Sequence, residues 1–90
     1  MRSASIEELL GALDSAIGTL RGKGETHWST WLQADRDRIA LGDFHGVEHL
    51  LGAFGGMGSF TDFASGGELE QPSARIYEIA SELRRDMERT

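Results

Sequence analysis

The segment His45-Gly46-Val47-Glu48-His49 holds the side chains best suited to chemistry in this 90-residue sequence. Its spacing is H-x-x-E-H, the inverted zinc-protease motif. On a helix the two histidines lie one turn apart and can share a Zn²⁺ ion, with the glutamate as general base. A third protein ligand would come from a downstream carboxylate, such as Asp62, Glu68 or Glu70. The motif therefore predicts either a metal site or an ordinary exposed helix face.

Other features of the sequence argue against an enzyme. The chain is much shorter than proteases of this kind, and Gly46 weakens a helix inside the motif. The serines Ser29, Ser59 and Ser73 lack the G-x-S-x-G context of a nucleophile elbow. Cysteine is absent, so thiolate chemistry is excluded. We therefore expect no catalytic residues and no cofactor, and metal binding by His45 and His49 remains an alternative.

Four helical segments must position these residues. Apolar residues at helical spacing predict a first helix from the Ser5–Glu8 capping box to about Arg21 and a second from Thr26 or His27 to Gly42. A third helix begins after Asp43 and ends at Gly55, and Pro72 fits the first turn of the last. No alternating strand pattern occurs. The sequence predicts one all-α domain over residues 1–90, a compact bundle of about four helices, with a Gly-rich loop and a short extra helical turn between helices 3 and 4.

Two predictions concern polar residues on these helices. Asp35 falls within the apolar stripe of the second helix, so its carboxylate needs a partner or a raised pKa. We expect a structural contact, with Arg75 or Arg84 of the last helix as the candidate partner, and a functional role as the alternative. On the third helix the apolar side contains Phe44, Val47, Leu50, Leu51 and Phe54. His45, Glu48 and His49 are expected on the opposite side.

The loop Gly55-Gly56-Met57-Gly58-Ser59 could either bind phosphate or reverse the chain. A phosphate-binding loop follows a strand and ends in Gly-Lys-Ser/Thr, whereas this loop follows a helix and has no lysine. Glycines allow the sharp reversal, Met57 would fill a gap in the packing, and Ser59 would cap the next turn with Asp62. We expect a structural loop at Gly55, Gly56, Gly58 and Ser59, with presentation to another protein as the alternative.

Charge favours a protein partner. The net charge is −6, and residues 42–70 contain five acidic residues and no lysine or arginine. This segment would repel nucleic acid and attract a basic protein surface, unless its acidity serves solubility alone. The expected contact residues are Asp43, Glu48, Asp62, Glu68 and Met57. No apolar run suggests a membrane span, and the first residues do not resemble a signal peptide, so we expect a cytoplasmic protein.

The runs Gly42–Leu51 and Gly55–Asp62 also resemble a family of small uncharacterised bacterial proteins. The shared pattern is G-D-F…G-V-E-H-L-L…G-G-M-G-S-x-x-D, and the likeness extends to the Trp28/Trp31 segment. The resemblance implies no established activity and no catalytic residues.

The sequence thus favours a non-enzymatic protein-interaction domain. Its size and acidity are similar to those of immunity or antitoxin-like factors that neutralise toxins, which is an analogy rather than a motif. One alternative is a metal-binding protein or metal-dependent hydrolase. Another is a homodimer or larger homo-oligomer that buries apolar surface at Trp28/Trp31 or Met57/Phe60.

Overall fold

The computed structural model describes residues 4–54, Phe60 and residues 67–89. These residues form four α-helices and no strand: α1 (Ala4–Gly22), α2 (Thr26–Ala40), α3 (His45–Leu51) and α4 (Glu70–Arg89). The predicted all-α bundle is confirmed. The predicted glycine loop and extra helical turn lie outside the described residues, together with Gly55, Gly56, Met57, Gly58, Ser59 and Asp62.

The turn between α1 and α2 is built by one glycine and one glutamate. α1 ends at Gly22, and Gly24 follows with φ of 73°, a left-handed conformation that glycine adopts without strain. Glu25 then caps α2, because its Oε1 accepts hydrogen bonds from the backbone N–H groups of His27 at 3.1 Å and Trp28 at 3.4 Å. The predicted end of α1 and start of α2 are therefore confirmed to within about one residue. The cap at Glu25 is not among the predictions.

The turn between α2 and α3 follows the prediction more fully. Gly42 has φ of 84°, which ends the helical path of α2. The N–H of Asp43 donates to the carbonyl of Arg38 at 2.8 Å, and Asp43 Oδ1 accepts from the N–H of His45 at 3.1 Å. This side chain thereby satisfies a free amide at the start of α3. The short turn folds α3 back against α2.

The end of α3 differs from the prediction. The helix ends at Leu51, not at Gly55, and its C-cap Gly52 keeps a right-handed φ of −64°. Ala53 and Phe54 continue the backbone as a turn, since their N–H groups donate to residues three positions earlier. The carbonyl of Ala53 then accepts from Phe60 N at 2.8 Å. The chain therefore leaves the helix before the glycine loop begins.

The core lies between the four helices. α1 and α3 each pack against both α2 and α4. Pro72 lies in the first turn of α4, as predicted, and its missing N–H there costs no hydrogen bond. Burying each Leu, Ile or Phe side chain contributes about 1.5–3 kcal/mol. The largest fully buried apolar side chains are Leu9, Leu13, Leu20, Leu32, Ile39, Val47, Leu50, Phe60, Ile76 and Ile79.

Candidate functional site

The two histidines of α3 lie in different environments. His45 is the first residue of the helix, and its side chain is 93% exposed. Its Nδ1 lies 3.1 Å from Asp43 Oδ1, so the ring has one weakly held nitrogen and is otherwise surrounded by solvent. His45 is thus on the solvent side of α3, as predicted.

His49, in contrast, faces α2. Its Nδ1 lies 2.5 Å from Oδ1 of Asp35, whose side chain is fully buried. Its ring stacks on the indole of Trp31, with ring centroids 4.5 Å apart and an interplanar angle of 21°. The His49 side chain is nevertheless 44% exposed. The prediction that His49 projects away from the core is therefore wrong in part, because one ring nitrogen reaches the interior.

Gly46 is what allows this close contact between α2 and α3. It is buried, and a Cβ atom at this position would lie 3.0 Å from Arg38 Cβ, 3.1 Å from the Asp35 carbonyl oxygen and 3.1 Å from Ile39 Cγ1. Those distances are shorter than nearly all contacts that Cβ atoms make, so the neighbouring atoms of α2 would have to shift by a few tenths of an ångström. The residue that weakens the helix by its low propensity therefore has a packing role, and it brings His49 within reach of Asp35.

The environment of Asp35 opposes its ionisation. Desolvation by burial raises the pKa of this carboxyl, and the hydrogen bond and charge of His49 partly offset that effect. The charge of Arg38 and the indole of Trp31 also lower the pKa. Within the described residues, Trp31 Nε1 and Asp35 Oδ2 are both buried without a hydrogen-bond partner. The pair Asp35–His49 is thus incompletely satisfied.

The predicted arginine partners of Asp35 are wrong. Arg75 binds Glu8 on α1 and Glu78 on its own helix. Arg84 lies 3.4 Å from Glu48 and 3.2 Å from Glu88. The sequence identified Asp35 as a core-facing acid, but helix periodicity alone does not say which neighbouring helix covers a buried side chain.

The structure places the H-x-x-E-H motif without completing a metal centre. Glu48 Oε1 contacts Arg84 Nε on α4, so its carboxylate is turned toward a cation. Among the residues that the structure describes, no three histidine, aspartate or glutamate side chains are grouped to hold a metal ion. Within the described residues the motif thus presents two imidazoles, and its carboxylate faces Arg84.

The acidic segment is less isolated in space than in sequence. Besides the contact of Glu48 with Arg84, Glu68 Oε1 lies 2.7 Å from Lys23 Nζ at the end of α1. The carboxylate of Asp43 contacts the backbone N–H and the ring of His45. All three carboxylates are exposed. Segment 42–70 contains no lysine or arginine, but the fold brings Arg84 to Glu48 and Lys23 to Glu68.

Apolar side chains are exposed beside these acids. Leu41, at the end of α2, is 87% exposed, and Phe44 at the start of α3 is 38% exposed. Phe44 also lines a shallow groove of about 220 Å³ with Leu83, Asp86 and Met87 of α4. An apolar turn and groove therefore lie next to Asp43.

Comparison with known proteins places this all-α domain in a family. A family profile described as "Domain of unknown function (DUF6966)" matches residues 21–69, and the chain belongs to this family. The match includes α2, α3 and both members of the Asp35–His49 pair. No curated protein and no solved structure matches the chain significantly. In the described residues, no helix combines the length and apolar character that crossing a membrane requires.

Proposed function

We propose that this chain is a non-enzymatic protein-interaction domain that binds a basic protein surface through segment 42–70. The observation that carries the proposal is the exposed α2–α3 turn, where Leu41 and Phe44 flank Asp43. Protein interfaces combine an apolar centre containing aromatic residues with a polar rim. The apolar groove at Phe44 and the neighbouring carboxylates have that composition. The proposed contacts at Met57 and Asp62 lie outside the described residues.

Ion pairs modify the electrostatic part of this proposal. Glu48 and Glu68 are paired with Arg84 and Lys23, which reduces the local negative potential. Exposed pairs of this kind contribute only about 0–1 kcal/mol. A basic group on a partner can therefore replace either cation at little cost. Asp43 has no arginine or lysine partner within the described residues, so its charge should contribute most to steering the partner.

The partner class that we propose is a basic toxin, with this chain as its immunity or antitoxin-like factor in a bacterial cytoplasm. Small size and net negative charge support this class, and no residue pattern identifies it. The product of a neighbouring open reading frame is the first candidate to test. A second copy of the chain is a competing occupant of the same surface.

The experiment compares variants in binding to that purified neighbouring product. Asp43→Lys and Phe44→Ser should each weaken binding about tenfold or more, since each removes a central contact. Glu82→Lys, which changes an exposed residue on α4 by the same charge, is the matched control. Binding should also weaken as salt increases. Affinity that is equal for the wild type, Asp43→Lys and Phe44→Ser would reject this surface.

Light scattering, which measures molecular mass, tests whether a second copy of the chain occupies this surface instead. The proposal predicts a monomer of 9.9 kDa without the partner and a heterocomplex with it. A dimer of the isolated chain that Phe44→Ser converts to a monomer would instead assign the surface to self-association.

A further inference from the structure

We propose that His45 and His49 form an open two-imidazole site for a divalent ion that prefers nitrogen ligands, such as Zn²⁺, Cu²⁺ or Ni²⁺. This inference does not depend on the proposed protein-binding role, although Asp43 takes part in both. Residues four apart on a helix are neighbours on its surface, so these two rings lie on adjacent turns. Helical side chains also lean toward the N-terminus, which directs the His49 ring over the turn that holds His45.

The contacts of both rings leave the same nitrogen available. In each histidine Nδ1 is engaged by an aspartate: Asp43 at 3.1 Å for His45, and Asp35 at 2.5 Å for His49. Metal-binding histidines almost always have one ring nitrogen held by a carboxylate or carbonyl in this way. That contact favours one tautomer and one ring orientation. Nε2 is therefore the ligand atom in both residues.

Burial shows where Nε2 of His49 points. Nδ1 faces Asp35 in the interior, and Trp31 covers one face of the ring. The side chain is 44% exposed, and we place the exposed part at the opposite edge of the ring, which contains Nε2. The Asp35 carboxylate therefore holds the imidazole with its second nitrogen toward solvent. The side chain of His45 is 93% exposed, so its Nε2 is accessible to the same ion.

The surrounding groups set the chemical class of the ion. Two imidazoles without a thiolate favour Zn²⁺, Cu²⁺ and Ni²⁺ over Mg²⁺ or Ca²⁺, which prefer oxygen ligands. Asp43 and Glu48 add negative charge near the site, whereas Arg38 and Arg84 oppose it. The described residues contribute no third grouped side chain, so the proposed site includes water ligands.

Trp31 provides an intrinsic probe for the experiment. Its ring stacks on His49, so Cu²⁺ bound at this histidine should quench Trp31 fluorescence. Untagged protein would be titrated with Cu²⁺ by fluorescence and with Zn²⁺ by calorimetry. We expect one ion per chain, and we expect His45→Ala to weaken binding about tenfold or more because it removes one of two ligands.

His27→Ala is the matched control. His27 is also exposed, lies at the start of α2 and contacts both Trp28 and Trp31, but it supplies no ligand to the proposed site. This variant should bind like the wild type. Equal loss in His27→Ala and His45→Ala, or no saturable binding by the wild type, would overturn the proposal.

Two further variants separate ligation from folding. His49→Asn keeps an N–H donor for Asp35 but lacks the ligand nitrogen, so it should remain folded and lose the quenching. Asp35→Asn tests positioning and should weaken Zn²⁺ binding about tenfold, within the range for groups that orient a metal ligand. Circular dichroism would verify the fold of each variant. Full Zn²⁺ affinity in folded His49→Asn would contradict the site.

Discussion

His45 and His49 each contact an aspartate, but the two aspartates differ in their exposure to solvent. Both belong to the seven-residue helix α3, and both have Nδ1 near a carboxylate. Asp43 is exposed at a turn, where water solvates its charge, whereas Asp35 is fully buried between helices. A contact of the same type is thus a weak surface interaction in one case and a buried tertiary contact in the other.

This difference shows how burial changes the energetic role of a side chain. Exposed ion pairs contribute little because water competes for both groups. A buried carboxylate that loses its partner keeps the cost of desolvation. His49 therefore stabilises the fold mainly by preventing that loss, and the contact with Asp35 fixes α3 on α2.

The largest expected effect separates the two histidines directly. His49→Ala should lower the free energy of unfolding by about 2–4 kcal/mol, because it leaves buried Asp35 without its partner. His45→Ala should change it by less than about 0.5 kcal/mol. Urea denaturation measures both changes in the free energy of unfolding, provided that the m-value is the same in each variant. Equal effects of the two substitutions would remove the distinction.

Gly46→Ala should break the contact at His49 while leaving His45 in solvent. The added Cβ must displace backbone and side-chain atoms of α2, so we expect a destabilisation of about 1–3 kcal/mol. Gly18→Ala is the control, since Gly18 is exposed on α1 and a Cβ there meets no atom within 4 Å. That substitution should stabilise the protein by about 0.5–1 kcal/mol through helix propensity. Thermal denaturation should therefore show a lower melting temperature for Gly46→Ala and a higher one for Gly18→Ala.

The pH dependence of stability should identify Asp35 as the buried acid. Because its pKa is raised above the ordinary 3.8, the folded state retains a proton at a pH where the unfolded chain has lost it. Its contribution to the free energy of unfolding is therefore largest below pH 3.8 and decreases as pH rises toward the raised pKa. The stability difference between wild type and Asp35→Asn, measured across this range, should show that decrease. An increase with pH would mean that Asp35 has the lowered pKa of an ordinary paired carboxylate.

The smallest expected effect concerns the third residue of the motif. Glu48→Gln removes the exposed ion pair with Arg84 and should change the free energy of unfolding by less than about 0.5 kcal/mol. Urea denaturation alongside His49→Ala gives the comparison within one helix. A cost near that of His49→Ala would show that α3 is held by α4 rather than by Asp35.

The sequence predicts the helices of this fold well but not the contacts between them. Gly42 and Asp43 mark the α2–α3 turn because left-handed backbone and helix capping are local properties. The end of α3 was missed because Gly55 is the stronger local signal. The observed end at Leu51 depends instead on the path of the following turn, which includes the contact of Ala53 with Phe60.

The candidate site illustrates the same limit. The apolar stripe of α2 identifies Asp35 as a core-facing acid. The H-x-x-E-H spacing places His49 in solvent, because spacing within one helix carries no information about the neighbouring helices. A signal was present nonetheless. Asp35 and His49 each lie about one turn from the short connection between α2 and α3, and Gly46 is small enough for close packing there. Taken together, these three positions predict that the side chains of Asp35 and His49 are in contact.

The protonation of the histidine rings tests the central claim most directly. A nitrogen-15 NMR experiment that correlates ring protons with Nδ1 and Nε2 reports the tautomer of each imidazole. We expect His49 to carry its proton on Nδ1, toward Asp35, and we expect Asp35→Asn to change the His49 signals but not those of His45. A neutral His49 ring protonated on Nε2, with signals unaffected by Asp35→Asn, would contradict the account.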